Sequence, residues 1–212
     1  MQGGFEFTLR LTPNHSYPPL RQYPHAVRSV GIHAVRMPNY RRIWIPGGSY
    51  FFTVAVAERG TSLLTDHIGN LRQTFRTVRQ ARPFGITAMA VLPDHLHCIW
   101  TLPTGDSDYA LPWAGIKAAF SASLPADRNL RDSLRRKRER GLWQRRYWEH
   151  VLRDERDLAA HVDYIHYNPV KHGLVECAAQ WPHSSFHRYL RDGRLPAGCG
   201  DGAGSGEIWS GE

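Results

Sequence analysis

Two histidines separated by one residue, His95 and His97, are the first side chains whose types and spacing allow metal chemistry. They open an apolar segment that favours a β-strand, in which residues i and i+2 face the same side. Two imidazoles on one face supply half of a divalent metal site. The simpler alternative is a pair of surface histidines, because a chain with 12 histidines contains such pairs by chance.

A helix over residues 155–168 carries the second candidate pair. Its apolar residues recur at i, i+4 and i+7, which predicts an amphipathic helix, and they are Leu158, Val162 and Ile165. Tyr164 and Asn168 are four residues apart, so their side chains are neighbours on one flank outside that stripe. The carboxamide oxygen of Asn168 is a ligand type that a hard cation such as Mg²⁺ accepts.

Both residues also have simpler explanations. Tyr164 fits an amphipathic side chain at the margin of the core. Asn168 fits a helix-ending residue, because Pro169 follows it and the residue before a proline is pushed out of the α region. The sequence therefore predicts that this helix ends near Tyr167.

Basic residues interleaved with aromatic ones form a third candidate, a surface for nucleic acid. Residues 128–146 hold nine basic groups against two acids. Arginine clusters neutralise phosphates, and exposed aromatic rings stack on unpaired bases. A solvated charged loop is the alternative, and burial in the core is favoured for Trp143 and Trp148. The candidate residues for binding nucleic acid are Arg135, Arg136, Lys137, Arg138, Arg145 and Arg146, with Arg41 and Arg42 in a second short basic and aromatic patch.

Composition sets the class of protein. The chain has 212 residues, a formal net charge of +8 and 42% hydrophobic residues. Its aromatic content can build a core, which excludes disorder throughout. Neither a membrane-spanning apolar run nor a secretion signal stands out, so a cytoplasmic protein is expected.

The elements that must position these side chains alternate along the chain. Strands are predicted at 49–57, 85–92, 95–102 and 143–152, and helices at 66–82 and 111–124, with Asp154 capping the helix described above. This order predicts an α+β ferredoxin-like sandwich, with a four-stranded antiparallel sheet, helices mainly on one face and an extra C-terminal helix carrying Tyr164. Residues 1–36 are expected to form a loose extension, 37–190 the domain, and 191–212 a glycine-rich disordered tail.

Six stretches together resemble one known family, the REP-associated tyrosine transposases, a branch of the single-tyrosine HUH transposases. The stretches are MPNYRR (37–42), GGSYFFTV (47–54), VLPDHLHCIWTLP (91–103), WQRRYWEHVLRDERDL (143–158), DYIHYNPVKHGLV (163–175) and WPHSSF (181–186). The combination is far more specific than any single motif.

The resemblance implies a ferredoxin-like fold and cleavage and rejoining of single-stranded DNA. It assigns His95, His97 and Asn168 to a Mg²⁺ or Mn²⁺ ion and makes Tyr164 the nucleophile, which forms a 5′-phosphotyrosine. The expected partner is single-stranded hairpin DNA of palindromic repeats. The protein is expected to be associated with the nucleoid of a bacterial cell. The protein is expected to act as a monomer, without a nucleotide cofactor or a membrane.

Three alternatives stay open. A metal nuclease that activates water shares the histidine pair but needs no tyrosine. A catalytically silent DNA-binding protein shares the fold and the basic residues. Tyr167 competes locally for the role of nucleophile, although the family motif favours Tyr164.

Overall fold

A computed structural model describes residues 42–125 and 140–195. The strands are β1 (Ser49–Ala55), β2 (Gly85–Val91), β3 (His95–Thr101) and β4 (Trp148–Val151). The helices are α1 (Leu63–Asp66), α2 (Ile68–Ala81), α3 (Ala110–Ser123), α4 (Glu155–Lys171) and α5 (Phe186–Arg191), with a 3₁₀ turn at Ala178–Gln180. The predicted extension at 1–36 and most of the predicted tail lie outside the described residues.

The four strands form one antiparallel sheet in the order β2-β3-β1-β4. The two central strands, β1 and β3, are neighbours although β2 and two helices separate them in the chain. With α2 and α3 as crossovers, this is the βαββαβ order of a ferredoxin-like sandwich. The predicted fold class is confirmed, and β2 and β3 form an antiparallel hairpin that turns at Pro93 and Asp94.

The alternation of side chains along β3 divides the molecule into two faces. Leu96, Cys98 and Trp100 enter the larger core, which α2 and α3 cover. Trp100 stacks on Trp113 of α3 with ring centroids 4.2 Å apart. Ile99 faces the smaller core on the other side, which α4 and α5 cover. His95 and His97, in phase with Ile99, therefore face α4.

Two boundaries differ from the sequence prediction. Strand β4 begins at Trp148, five residues later than expected, and Trp143 forms only an isolated bridge with Val56. The expectation that Pro169 ends the helix is wrong, because α4 continues to Lys171. In the last turns of a helix a proline removes one hydrogen bond, and Pro169 is buried here, which offsets that loss.

The segment that precedes α5 closes the outer edge of β2. Ser184 forms a β-bridge with Ala90, and backbone bonds join Val91 to His183 and Ser185 to Met89. The Ser185 hydroxyl also accepts from the Met89 amide and bonds His166 of α4 at 2.8 Å. The segment thus fixes α4 against the sheet. Within the described ranges, no helix has the length and apolarity needed to cross a membrane.

Candidate active site

The two histidines of β3 are buried side by side under α4. Their ring centroids are 5.0 Å apart, and the residues are 2% (His95) and 0% (His97) exposed. The alternative of a surface histidine pair is therefore wrong. Burial is the main cause that lowers the pKa of both imidazoles, so both rings are neutral at pH 7.

Each ring is oriented through its Nδ1 atom. His95 Nδ1 donates to Asp94 Oδ1 at 2.6 Å, and His97 Nδ1 lies 2.9 Å from the Thr53 hydroxyl. The carboxylate accepts only, so the proton of His95 is on Nδ1 and its Nε2 presents a lone pair. Neither Nε2 has a hydrogen-bond partner among the described residues. This is how metal-binding histidines are usually held, with one nitrogen bonded behind and the other directed at the ion.

Asp94 is held in turn by the loop that follows β1. Its Oδ2 accepts from the Gly60 amide at 2.8 Å and from Arg59 Nε at 3.1 Å. Partial burial acts to raise the pKa of this carboxyl, but the hydrogen bonds from Gly60 and His95 bring it below its usual value. The carboxylate therefore stays ionised as the acceptor for His95.

Tyr164 of α4 lies beside the histidine pair. Its ring centroid is 5.2 Å from that of His97 and 5.9 Å from that of Phe51. Lys171 Nζ is 5.2 Å from the centre of the Tyr164 ring. His172 packs against His95, with centroids 5.0 Å apart. Two cationic or titratable side chains from the end of α4 thus approach the tyrosine and the histidines.

Asn168 lies one helical turn after Tyr164. The sequence places it on a flank outside the apolar stripe, and the structure shows that it is fully buried. Its Oδ1 and its Nδ2 both lack a hydrogen-bond partner within the part of the chain that the structure describes. Buried amides are normally bonded, so a group in this state is a candidate for binding something that the protein itself does not supply.

A second group of possible metal ligands joins β4 to α4. His150, Asp157 and His161 have ligand atoms that all lie within 4.8 Å of one another. These atoms are bonded within the protein: Asp157 Oδ2 lies 3.0 Å from His150 Nε2 and 3.1 Å from Arg153 Nε, and His161 Nδ1 lies 2.7 Å from the Asp157 carbonyl. The group is therefore a hydrogen-bonded link rather than an open set of donors.

This link reaches the candidate site through aromatic contacts. His150 and His161 stack with centroids 4.8 Å apart, and His161 contacts Phe51 at 4.9 Å. Phe51 in turn contacts both His97, at 5.6 Å, and Tyr164. The link therefore sets how α4 lies on the sheet, and with it the position of Tyr164.

The described members of the predicted DNA-binding set differ in their surroundings. Arg42 Nε pairs with Glu149 at 3.2 Å, and its guanidinium lies over the Tyr147 ring at 4.8 Å. Arg145 and Arg146 are exposed just before β4. The remaining predicted residues, Arg41, Arg135, Arg136, Lys137 and Arg138, lie outside the described residues.

Four residues that contact the site were not predicted from the sequence. Asp94 adjoins the histidine pair, and a search for an acceptor behind each imidazole would have suggested it. Lys171 and His172 follow Tyr164 at helical spacing. They were not predicted as neighbours of the site because the helix was expected to end before Pro169. Thr53 reaches His97 only through the pairing of β1 with β3, for which the sequence contains no local signal.

Comparison with known proteins gives two curated relatives, both named for REP-associated tyrosine transposases. A Haemophilus influenzae protein is 46% identical over 156 residues, covering 73% of this chain and 89% of the relative. An Escherichia coli K12 protein is 43% identical over 160 residues, covering 76% and 89%. No family model matches the chain. A solved REP-associated tyrosine transposase bound to a REP hairpin is 40% identical, with a TM-score of 0.66, covering 82% of this chain and 94% of that one.

Proposed function

The chain belongs to the REP-associated tyrosine transposases, and from that premise we propose that it cleaves and rejoins single-stranded hairpin DNA through a covalent bond to Tyr164. One observation carries the proposal. The Tyr164 ring lies beside His97, in a buried site where two imidazole nitrogens and one carboxamide have no partner among the described residues. A possible nucleophile therefore lies in the same site as atoms that can bind a metal ion.

The reaction exchanges one phosphodiester for another. The phenolic oxygen of Tyr164 forms a bond to the scissile phosphorus, and the bond from phosphorus to the 3′ oxygen of the leaving strand breaks. The phenol gives up its proton in this step, the leaving oxygen takes one up and departs as a 3′-hydroxyl, and the 5′ phosphate stays on the tyrosine. A DNA 3′-hydroxyl then attacks the same phosphorus and releases the phenol. Because bond types are conserved, no nucleotide cofactor is required.

The buried donor atoms fit a divalent ion. His95 and His97 through Nε2, and Asn168 through Oδ1, would hold Mg²⁺ or Mn²⁺, for which neutral imidazole and amide oxygen are suitable ligands. A bound ion would polarise the scissile phosphate. The His150, Asp157 and His161 group fits less well, because its atoms already bond one another.

The end of α4 adds positive charge to the site. Lys171 is an exposed residue with its ammonium group over the Tyr164 ring. An ammonium group in this position would attract the phosphate that the tyrosine attacks. This supports Tyr164 rather than Tyr167 as the nucleophile.

Hairpin DNA is the proposed partner, supported by the relative whose structure contains a REP hairpin. Arg145 and Arg146 are exposed near the site, and we assign them to phosphate contacts together with the basic residues named above. DNA affinity should then fall steeply with salt, and a flat response would contradict this assignment. Tyr164 lies beside His97 of its own chain, so the proposed site needs no residue from a second subunit, and we expect a monomer to be the active form.

A covalent adduct is the decisive test. Labelled single-stranded hairpin DNA from repeats that flank the gene is incubated with protein and Mn²⁺ or Mg²⁺, then run on a denaturing gel. We expect a shifted band with the natural protein and with Tyr167→Phe, and none with Tyr164→Phe or EDTA. Tyr167 is the matched control because it lies on the same helix, one turn away.

The other outcomes identify the alternatives. Cleavage without a shifted band would replace the proposal with a nuclease that activates water. DNA binding without cleavage or adduct, and without any effect of Tyr164→Phe, would indicate a catalytically silent binding protein.

A further inference from the structure

Trp148 is an exposed aromatic side chain on the same face of the sheet as the histidine pair. It opens β4, the strand at one edge of the sheet, and is 37% exposed. The other tryptophan of this region, Trp143, packs on Phe120 and donates through Nε1 to the Lys117 carbonyl. The expectation of a core position thus fits Trp143 and not Trp148.

The indole of Trp148 is supported from within the protein. It lies parallel to the His150 ring, with centroids 5.8 Å apart and an interplanar angle of 2°, and it meets Phe51 edge-on at 5.6 Å. His150 is itself fixed by its bond to Asp157. An aromatic ring held in this way has a set orientation before any ligand arrives, which lowers the entropic cost of stacking.

Strand register places this ring next to the candidate active site. Trp148 pairs with Thr53 of β1, and Thr53 pairs with His97 of β3. Neighbouring strands lie about 4.8 Å apart, so two steps put the backbones of Trp148 and His97 about 10 Å apart. Phe51 touches Trp148, His97 and Tyr164 in turn. A ligand on the indole is therefore close to the tyrosine.

The surrounding charge suits a polyanion. Arg145 and Arg146 are exposed and are separated by Tyr147 alone from the strand that Trp148 opens. Cationic side chains beside an exposed aromatic ring are the arrangement that binds single-stranded nucleic acid, with phosphates on the cations and a base on the ring. Charge and continuity with the site thus favour one kind of occupant.

We propose that Trp148 is a stacking platform for an unpaired base that flanks the scissile phosphate. This inference rests on the proposed function, since it assigns a nucleotide subsite to the same site. The base stacks on the exposed part of the indole, while contacts with His150 and Phe51 support the ring. Stacking contributes without sequence readout, because every base has a π-face.

The test uses full-length Tyr164→Phe protein, so that no cleavage occurs. The probe is hairpin DNA from repeats that flank the gene, with 2-aminopurine placed in turn at each single-stranded position. Stacking on the indole should quench the fluorescence at one or two positions beside the cleavage site. Adding Trp148→Leu should remove that quenching and weaken binding by roughly 5- to 100-fold, with Trp148→Phe in between.

Trp44→Leu is the matched control. Trp44 is 44% exposed and stacks on Tyr109, whose ring belongs to the core on the other face of the sheet. It should leave both the quenching and the affinity unchanged. Equal losses from the two substitutions, or quenching that persists in Trp148→Leu, would overturn the inference.

The separate adduct assay distinguishes the two proposals. An adduct together with quenching that ignores Trp148 would overturn the stacking platform and leave the phosphotyrosine reaction standing. Position-specific quenching that depends on Trp148 without any adduct from the natural protein would support the platform and overturn the reaction. Absence of DNA binding would overturn both.

Discussion

Replacing Asn168 with leucine should make the protein more stable and inactive at once. Asn168 is fully buried in α4, and its two amide atoms have no partner among the described residues. A buried polar group without a hydrogen bond costs about 1–3 kcal/mol of stability. Leucine has a similar volume and removes that cost, but it cannot donate an oxygen to a metal ion.

The expected gain follows from these terms. Removing the two unpaired amide atoms would stabilise the folded state by about 2–6 kcal/mol. Part of this gain is lost because the branched leucine side chain must repack in a site shaped for a planar carboxamide. Leucine also favours a helix over asparagine by a few tenths of a kcal/mol. We expect a net increase of about 1–3 kcal/mol in the free energy of unfolding, or roughly 3–10 °C in Tm.

Thermal and urea unfolding of metal-free protein measure this change. Asn70→Leu is the matched control, because Asn70 donates to the Ser123 carbonyl and hydroxyl and its loss should destabilise the protein. Added Mn²⁺ should raise the Tm of the natural protein and leave that of Asn168→Leu unchanged. A loss of more than about 1 kcal/mol in metal-free Asn168→Leu would refute the reasoning, because the amide would then be a satisfied structural group.

Three further changes test the supports around the site. Thr53→Val should weaken Mn²⁺-dependent adduct formation by roughly 10- to 100-fold in metal titrations, because it removes the group that orients His97; an unchanged midpoint contradicts this. Asp154→Ala should cost about 1 kcal/mol in urea unfolding, because its side chain caps α4 by accepting from the Asp157 amide. Burial lowers the pKa of Lys117 to about 8, so the unfolded chain binds this proton more tightly and stability should rise between pH 8 and 10.5. Lys117→Met should flatten that rise in unfolding measured at pH 8 and 10, and an equal slope in both proteins would show that the group is not the cause.

The sheet could be predicted from the sequence because its signals are local. Alternation and turn residues marked β1, β2 and β3 within two residues, and β3 placed His95 and His97 on one face. Strand β4 was misjudged because Trp143 and Tyr147 have the composition of a strand, while only Trp148–Val151 reach a partner. Pairing at an edge depends on tertiary contacts, and sequence periodicity does not report them.

The candidate site likewise has features that local sequence predicts and features that depend on tertiary contacts. Their spacing on a helix predicted that Tyr164 and Asn168 are neighbours, and the family resemblance supplied the roles proposed for them. The burial of Asn168 was not predicted, because α4 packs on strands that are far away in the chain. The rule that proline ends a helix failed at Pro169, since one lost backbone bond near a helix end is small compared with burial of the ring. Because the helix was predicted to end at Pro169, Lys171 and His172 were not predicted to lie near the site.

The order of the elements along the chain also determines when the protein can first act during its synthesis. All four strands, with His95 and His97, are complete by Val151, whereas Tyr164 follows on α4. Tyr164, the proposed nucleophile, is therefore synthesised only after all the strands of the sheet on which its helix packs. Until α4 docks, Phe51 and Ile99 of the smaller core stay uncovered. If Tyr164 is the nucleophile, as proposed above, a nascent chain forms no covalent bond to DNA before α4 has folded onto the sheet.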